Sequence, residues 1–243
     1  MIINKVYHLA DLHIRNLQRH KEYKLIFKKF LKQVKEDKIE DSIIYLAGDI
    51  AHAKTEMSPE LVQEISWFLT ECSKLRETVL ITGNHDCNLN NSHRLDVLTP
   101  IIENLRNDRI HYLRDTGIYN IHNLTFVVYS ILDDKENWPK GDTVDGENKI
   151  CLFHGPVNKA QTDIGYTVSS NSFQLDMFDG FDIAMLGDIH KRQNFGVGYE
   201  HIAYAGSMVQ QNHGELLEKH GYLLWDIPTR TFTEHHIHND YGF

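Results

Sequence analysis

The stretch "AMLGDIHKRQ", residues 184–193, is an apolar run that stops at a carboxylate, passes one residue and presents an imidazole. The same ending closes "YHLADLHIR" at 7–15 and, with one more spacer, "IYLAGDIAHAK" at 44–54. Two further runs end in polar groups, "VLITGNHDC" at 79–87 and "ICLFHGPV" at 150–157. Short apolar runs rich in β-branched residues read as buried strands, and α/β sheets build their sites just past strand ends. The five endings therefore point to an α/β fold whose polar groups collect where its strands finish.

Outward from these endings, strand and helix patterns alternate through the first half. "NKVYHLA" reads as a strand, residues 19–38 as a helix with Tyr23, Phe27, Phe30, Leu31 and Val34 on one face, and "SIIYLA" as the next strand. A helix opening at Ser58-Pro59-Glu60, where Ser caps and Pro suits the first turn, runs to about Leu75. "TVLIT" is a third strand, and Ser92 to Leu105 a third helix. The second half carries short strands in "IHNLTFVVYSI", "NKICLF", "FDIAML", "HIAYAG", "GYLLWDI" and "TFTEHHIH", a pattern expected of more antiparallel pairing. "DDKENWPKGDTVDGENK" is polar and rich in turn formers, so it reads as a surface loop. The simplest assembly is one domain over residues 1–243, with two stacked sheets flanked by helices.

The formal charge of −9 excludes a protein that coats nucleic acid by bulk charge. Bound divalent cations would nevertheless turn an Asp-rich site locally positive. Sixteen histidines against three cysteines direct attention to hard or borderline metals. Cys72, Cys87 and Cys151 are too scattered for a disulfide framework or a thiolate zinc site and are expected as reduced thiols. No stretch has the apolar length of a signal peptide core or a membrane span, so a cytoplasmic location and no membrane partner are expected.

In an extended strand, residues two apart share a face, so Asp11 with His13, and Asp188 with His190, are expected each to reach one metal. The glycines before Asp49 and Asp188 let the backbone turn as it leaves the strand. Asn84, His85 and Asp86 add an amide oxygen, an imidazole acid and a carboxylate to orient it, and His154 adds a further nitrogen. This oxygen and nitrogen set without thiolate suits manganese or iron more than a structural zinc. It suffices for two ions, the usual device for in-line displacement at phosphorus.

The order D-x-H, G-D, G-N-H-D, H-G, G-x-x-H appears here as Asp11-Leu12-His13, Gly48-Asp49, Gly83-Asn84-His85-Asp86, His154-Gly155 and Gly187-Asp188-Ile189-His190. It resembles that of calcineurin-like metallophosphoesterases, and within them the nuclease subunits of the Mre11/SbcD type, phage recombination nucleases included. "YAGSMVQQNHGE" resembles the segment after the last metal motif in that branch and extends the likeness to about residue 215. The resemblance implies an α/β/β/α sandwich with two mixed β-sheets flanked by helices, and two divalent metal ions, Mn²⁺ first and Mg²⁺ or Fe²⁺ next. Asp11, His13 and His190 would hold one ion, Asp49 would bridge, and Asn84, His154 and Asp188 would hold the other. His85 would protonate the leaving 3′-oxygen with Asp86 orienting it, and His52 would be an active-site histidine near the substrate.

The activity so implied is 3′ to 5′ exonuclease action on duplex ends and endonuclease action on single strands, in DNA repair and recombination. Implied partners are DNA, an ATPase subunit of the Rad50/SbcC type, and a second copy in a homodimer. The chain departs from the family at Asp188, where most members have His, and a carboxylate there should shift the second position toward Mn²⁺ or Mg²⁺. It also reaches Phe243 without the family's capping domain or ATPase-docking segment, so either the sequence is a piece of a longer protein or those functions are expected elsewhere.

Arg15, Arg19 and His20, just past the first motif, are placed to meet substrate phosphates. Lys21, Lys24, Lys28, Lys32 and Lys35 form a stripe opposite the apolar face of the first helix and read as a solvated face. His235, His236 and His238 fall outside every motif and read as structural or exposed, and Cys87 as packing. The alternatives are a phosphatase or small-molecule phosphodiesterase on the same fold, or a non-catalytic scaffold. Against a Ser/Thr protein phosphatase, "IAHAK" after Asp49 lacks a V-D-R-G continuation and the third motif ends in Asp86, not Glu. Retention of His85 and the ligand set argues against the scaffold.

Overall fold

β1 (Lys5–Leu9) shows why the strands read as unbroken apolar runs: both of its faces are covered. Val6 packs between two sheets while Tyr7 and Leu9 pack under helices. β2 (Ser42–Leu46) repeats the pattern, with Ile43 and Tyr45 between the sheets and Ile44 and Leu46 under the helices. A strand buried on both faces cannot alternate with polar residues. The structure, a computed structural model, describes residues 1–169 and 173–242.

Around β1 and β2 the chain adds α1 (His20–Asp37), α2 (Pro59–Leu75), β3 (Glu77–Leu80), α3 (Thr99–Leu105) and β4 (Ile110–Tyr112). Then follow β5 (Gly117–Ile121), β6 (Leu124–Tyr129), β7 (Lys149–His154), β8 (Ile183–Gly187), β9 (Gln193–Asn194), β10 (Ile202–Tyr204), β11 (Gly221–Asp226) and β12 (Thr231–His236). One six-stranded sheet has the order β12-β11-β1-β2-β3-β4 and the other β5-β6-β7-β8-β10-β9. Both are mixed: β1 to β4 run parallel, with β11 antiparallel to β1 and β12 antiparallel to β11, and β6, β7, β8 and β10 run parallel between antiparallel β5 and β9. The sheets face each other across Val6, Ile43, Phe126, Ile150, Leu152, Ile183 and Trp225. Helices α1 to α3 cover the outer face of the first sheet, where Phe27 of α1 stacks on Phe68 of α2 at 4.0 Å. Loops and 3₁₀ turns cover the outer face of the second, packed on Val127, Phe153 and Leu186. Among the described residues no helix is long and apolar enough to cross a membrane.

Several expectations are corrected. The helix expected over 92–105 forms only at Thr99–Leu105, and the Asp96 carboxylate just before it accepts from the backbone of Leu98 and Thr99 at 2.9 and 2.8 Å. "IHNLTFVVYSI" is a hairpin arm with a tight turn at His122-Asn123, His122 taking φ 56°. The central strands of the second sheet pair parallel, contrary to the antiparallel expectation. Among the described residues their crossovers carry no α-helix, so the usual helical period between parallel strands is missing. Within the loop at 133–149, Trp138 is buried, donates to the Ser130 carbonyl at 3.2 Å and stacks on Tyr129 at 4.7 Å. The three cysteines are free and buried, and Cys87 Sγ rests 3.3 Å from the Gly83 carbonyl.

Candidate metal centre

The C-terminal ends of β1, β2 and β3 in one sheet, and of β7 and β8 in the other, deliver Asp11, Asp49, Asn84, His154 and Asp188 to one place. The period-two expectation for Asp11 and His13 fails locally. β1 ends at Leu9, and Asp11 and His13 take left-handed backbone at φ 52° and 45°, as do Asp49 at 52° and Asp188 at 96°. Such conformations cost a non-glycine residue roughly 1 kcal/mol or more and persist where surrounding contacts impose them. Here the imposing contacts are backbone bonds between the first two motifs, Asp11 N to Gly48 O at 3.3 Å and His13 N to Asp49 O at 2.9 Å. The preceding glycines have distinct reasons. Gly48 takes φ 82°, whereas Gly187 stays in strand and is needed for close approach, since a Cβ there would stand 2.1 Å from the Ala47 carbonyl. Gly83 likewise presses on Asp49, where a Cβ would lie 2.1 Å from Oδ1.

The ligand atoms converge. Asp11, His13 and His190 form one cluster and Asp11, Asp49 and His154 another, the candidate atoms within each lying within 4.8 Å of one another. Asp49 Oδ2 stands between them, 3.4 Å from His13 Nε2 and 3.3 Å from His154 Nε2. Asn84 Oδ1 lies 3.0 Å and Asp188 Oδ1 3.8 Å from His154 Nε2. The orientation of each ring follows from its outer nitrogen. Nδ1 of His154 faces the Ala47 carbonyl at 2.6 Å, and Nδ1 of His190 faces the Glu215 carboxylate at 2.7 Å. Both oxygens can only accept, so each Nδ1 carries hydrogen and each Nε2 points inward at the other ligand atoms.

The donor set fits divalent cations. His13 Nε2 and His190 Nε2 face each other at 3.0 Å, and with no metal one proton must lie between them. Burial depresses His13 well below the usual range, while against the burial of His190 the Glu215 and Asp11 carboxylates hold it up to about 9, so the proton resides on His190. Burial pushes Asp11 up to about 7. Burial opposes ionisation of Asp49 too, but His154 and His13 pull it well below the usual carboxylate range. Positive charge at this place is what the buried carboxylates lack.

Residues 4–194 match the calcineurin-like phosphoesterase family. The chain belongs to that family. This phosphoesterase is 42% identical over 99% of its length to "Uncharacterized protein R555" of Acanthamoeba polyphaga mimivirus, of which it spans only 18%. It is 24% identical over 96% of its length to the SbcD subunit of the SbcCD nuclease of Staphylococcus saprophyticus, covering 68% of that protein. Among solved structures, the TT1561 protein of Thermus thermophilus shares its fold, with a TM-score of 0.56, 12% identity and coverage of 97% of this chain and 99% of that one.

In the phosphoesterase the third motif behaves differently from expectation. Asp86 does not orient His85: fully buried, its carboxylate accepts from the backbone of Ala51 at 2.8 Å, Gly83 at 3.0 Å and Ile50 at 3.3 Å, tying the second motif to the third. The His52 carbonyl takes the orienting place, accepting from His85 Nδ1 at 2.6 Å. His85 N in turn donates to Asp49 Oδ1 at 2.8 Å. The His52 ring stacks near His85 with centroids 5.5 Å apart, and burial with nearby Arg15 and His85 lowers it to about 4, which keeps it neutral. His13, His52 and His85 thus form a third cluster on the rim.

Two clefts open beside Asp188. One, of about 540 Å³, runs past Asn84, His154, Trp138 and Phe153. The other, of about 280 Å³, passes His190, Lys191, Asn212 and Glu215. Arg15, Arg19 and His20 line a separate hollow and are engaged by protein groups. Arg19 pairs with Glu22 at 2.7 Å and the Gln210 carbonyl at 2.8 Å, Arg15 donates to the Gln211 carbonyl at 3.0 Å, and His20 meets the Arg15 carbonyl at 2.7 Å. The Lys stripe is exposed apart from Lys24, which lies 3.1 Å over the Trp67 ring. His235 stacks on Tyr222 at 4.9 Å, His236 meets Arg192 at 3.2 Å, and His238 is exposed beside Asp240. Sequence reasoning missed Glu215, whose only signal was its position closing "YAGSMVQQNHGE".

Proposed function

We propose that this phosphoesterase is a nuclease of the Mre11/SbcD type that hydrolyses DNA phosphodiesters with two divalent cations, Mn²⁺ foremost. The observation that carries the reading is the position of His85 at the mouth of the ligand cluster, its ring 4.6 Å from that of His13 and its backbone bonded to Asp49. Asp11, His13 and His190 would hold one cation, Asn84, His154 and Asp188 the other, with Asp49 between. Bound there, the cations would supply Lewis-acid stabilisation of the phosphoryl oxygens and acidify the attacking water.

The chain's own groups do the rest. The His52 carbonyl fixes Nδ1 of His85 as a donor, so Nε2 is the nitrogen that exchanges a proton with the leaving 3′-oxygen. Asp86 holds the two motif loops together, and the neutral His52 ring stands where it can accompany the substrate without adding charge. Likeness to the staphylococcal nuclease subunit supports a nuclease reading with DNA as substrate. The motif resemblance extends the proposal to 3′ to 5′ action on duplex ends, cleavage of single strands and a place in repair or recombination. On the same likeness we propose a Rad50/SbcC-type ATPase partner and a homodimer. Three free cysteines support a reducing, cytoplasm-like compartment.

The test is degradation of a 3′-end-labelled linear duplex in Mn²⁺ by the wild type and by His85→Ala. Labelled mononucleotides should appear with the wild type, and the rate should fall by about 10²- to 10⁴-fold in the variant. A wild type that binds Mn²⁺ yet cleaves only phosphomonoesters would replace this reading with a phosphatase.

A further inference from the structure

The two halves of the ligand set are not backed alike. Nδ1 of His154 donates to a neutral acceptor, the Ala47 carbonyl, at 2.6 Å. Nδ1 of His190 donates to a carboxylate, Glu215 Oε1, at 2.7 Å. The Glu215 side chain is only 3% exposed, and its oxygens are fully engaged: Oε2 accepts from Gln211 N at 2.7 Å, and Oε1 also accepts from Asn212 Nδ2 at 2.6 Å. Gln210 Nε2 bonds the Glu215 backbone carbonyl at 2.9 Å, and Ser207 N bonds the His190 carbonyl at 3.0 Å. The segment 207–215 therefore carries one buried anion to the back of one histidine and holds it there. A carboxylate behind an imidazole makes its inner nitrogen a stronger donor and fixes the ring more firmly than a carbonyl does.

Asp11 belongs to both clusters and Asp49 stands between them, so these two carboxylates do not set the sides apart. Asp188 adds one carboxylate beside His154, while the other side holds two imidazoles, His13 and His190, the second of them backed by the Glu215 charge. Resting on the di-metal reading above, we propose that Glu215 is a positioning residue that makes the Asp11–His13–His190 side the tighter of two unequal cation sites, so that this side fills first.

The experiment is calorimetric titration of Mn²⁺ into the metal-stripped full chain, comparing wild type, Glu215→Gln, His190→Ala and the double variant. In Glu215→Gln an amide faces three donors, so one donor loses its partner, and the tighter step should weaken by about 10- to 100-fold while the weaker step stays in place. In the His190→Ala background the same change should cost nothing further, because its path to the metal has been removed. Unchanged affinities at both steps in Glu215→Gln would overturn the proposal. So would an equal loss with and without His190, which would assign Glu215 to the loop alone. A wild type that binds no Mn²⁺ would instead overturn the di-metal reading on which this one stands.

Discussion

At Asp188 the chain places a carboxylate 3.8 Å from His154 Nε2, on the rim of both clefts, at a left-handed φ of 96°. Its own backbone N–H donates to both oxygens of Asp11, at 3.1 and 3.2 Å, so the residue links the two halves of the cluster whatever its side chain. What the side chain decides is the hardness of the second position. An oxygen donor with a formal charge favours Mn²⁺ and Mg²⁺, an imidazole favours Zn²⁺ and other borderline ions. Asp188→His should therefore weaken Mn²⁺ at that position by about tenfold, roughly 1.4 kcal/mol, and strengthen competition by Zn²⁺. Metal content after dialysis against mixed ions checks this, and identical ion preferences in the two proteins would refute it.

Among the elements, α2 shows local chemistry deciding a boundary. Ser58 Oγ accepts from Leu61 N at 3.2 Å, Pro59 occupies the first turn, and Ser58 N is held by Asn16 Oδ1 at 3.1 Å, which links the helix start to the loop after the first motif. Ser58→Ala should cost about 1 kcal/mol by denaturant unfolding while leaving Mn²⁺ binding intact, and an unchanged midpoint would show the cap to be idle. This boundary was legible because cap and proline are adjacent in sequence. The start of α3 was not, because Asp96, whose carboxylate binds the backbone where the helix begins, owes its place to Arg114, which donates to it at 2.8 Å from 18 residues away. The same distinction separates the site residues. Asp11, His13, Asp49, Asn84, His154 and His190 were legible since each closes an apolar run, whereas the work of Asp86 and Glu215 depends on backbone groups of other loops that no local pattern reveals. Parallel pairing in the second sheet was hidden for a related reason: with no α-helix among the described residues of its crossovers, strand direction leaves no periodic trace.

For the molecule as a whole, stability depends on how the two sheets meet, and a histidine is sealed beside their shared core. His8 is fully buried, its Nδ1 accepting from Trp225 Nε1 at 3.3 Å and its ring 5.2 Å from Tyr45. Burial lowers its pKa from 6.5 to about 3. A histidine depressed in the folded state contributes stability above its unfolded value of 6.5 that is lost as pH falls toward 3, at about 1.4 kcal/mol per unit. Between pH 7 and 4 this amounts to about 3 kcal/mol. His13 and His52 act in the same direction, whereas Asp11 and Asp86, both pushed up to about 7 by burial, act oppositely as they take up protons. Only a difference between two proteins isolates the His8 share. His8→Leu deprives Trp225 of its acceptor and should be less stable than wild type at pH 7 by about 1–3 kcal/mol. Between pH 7 and 4, however, it should lose about 3 kcal/mol less than the wild type, so the two acid curves converge. Urea unfolding in EDTA at both pH values measures this, and parallel curves would mean that the sheets part, or admit water, before His8 takes its proton.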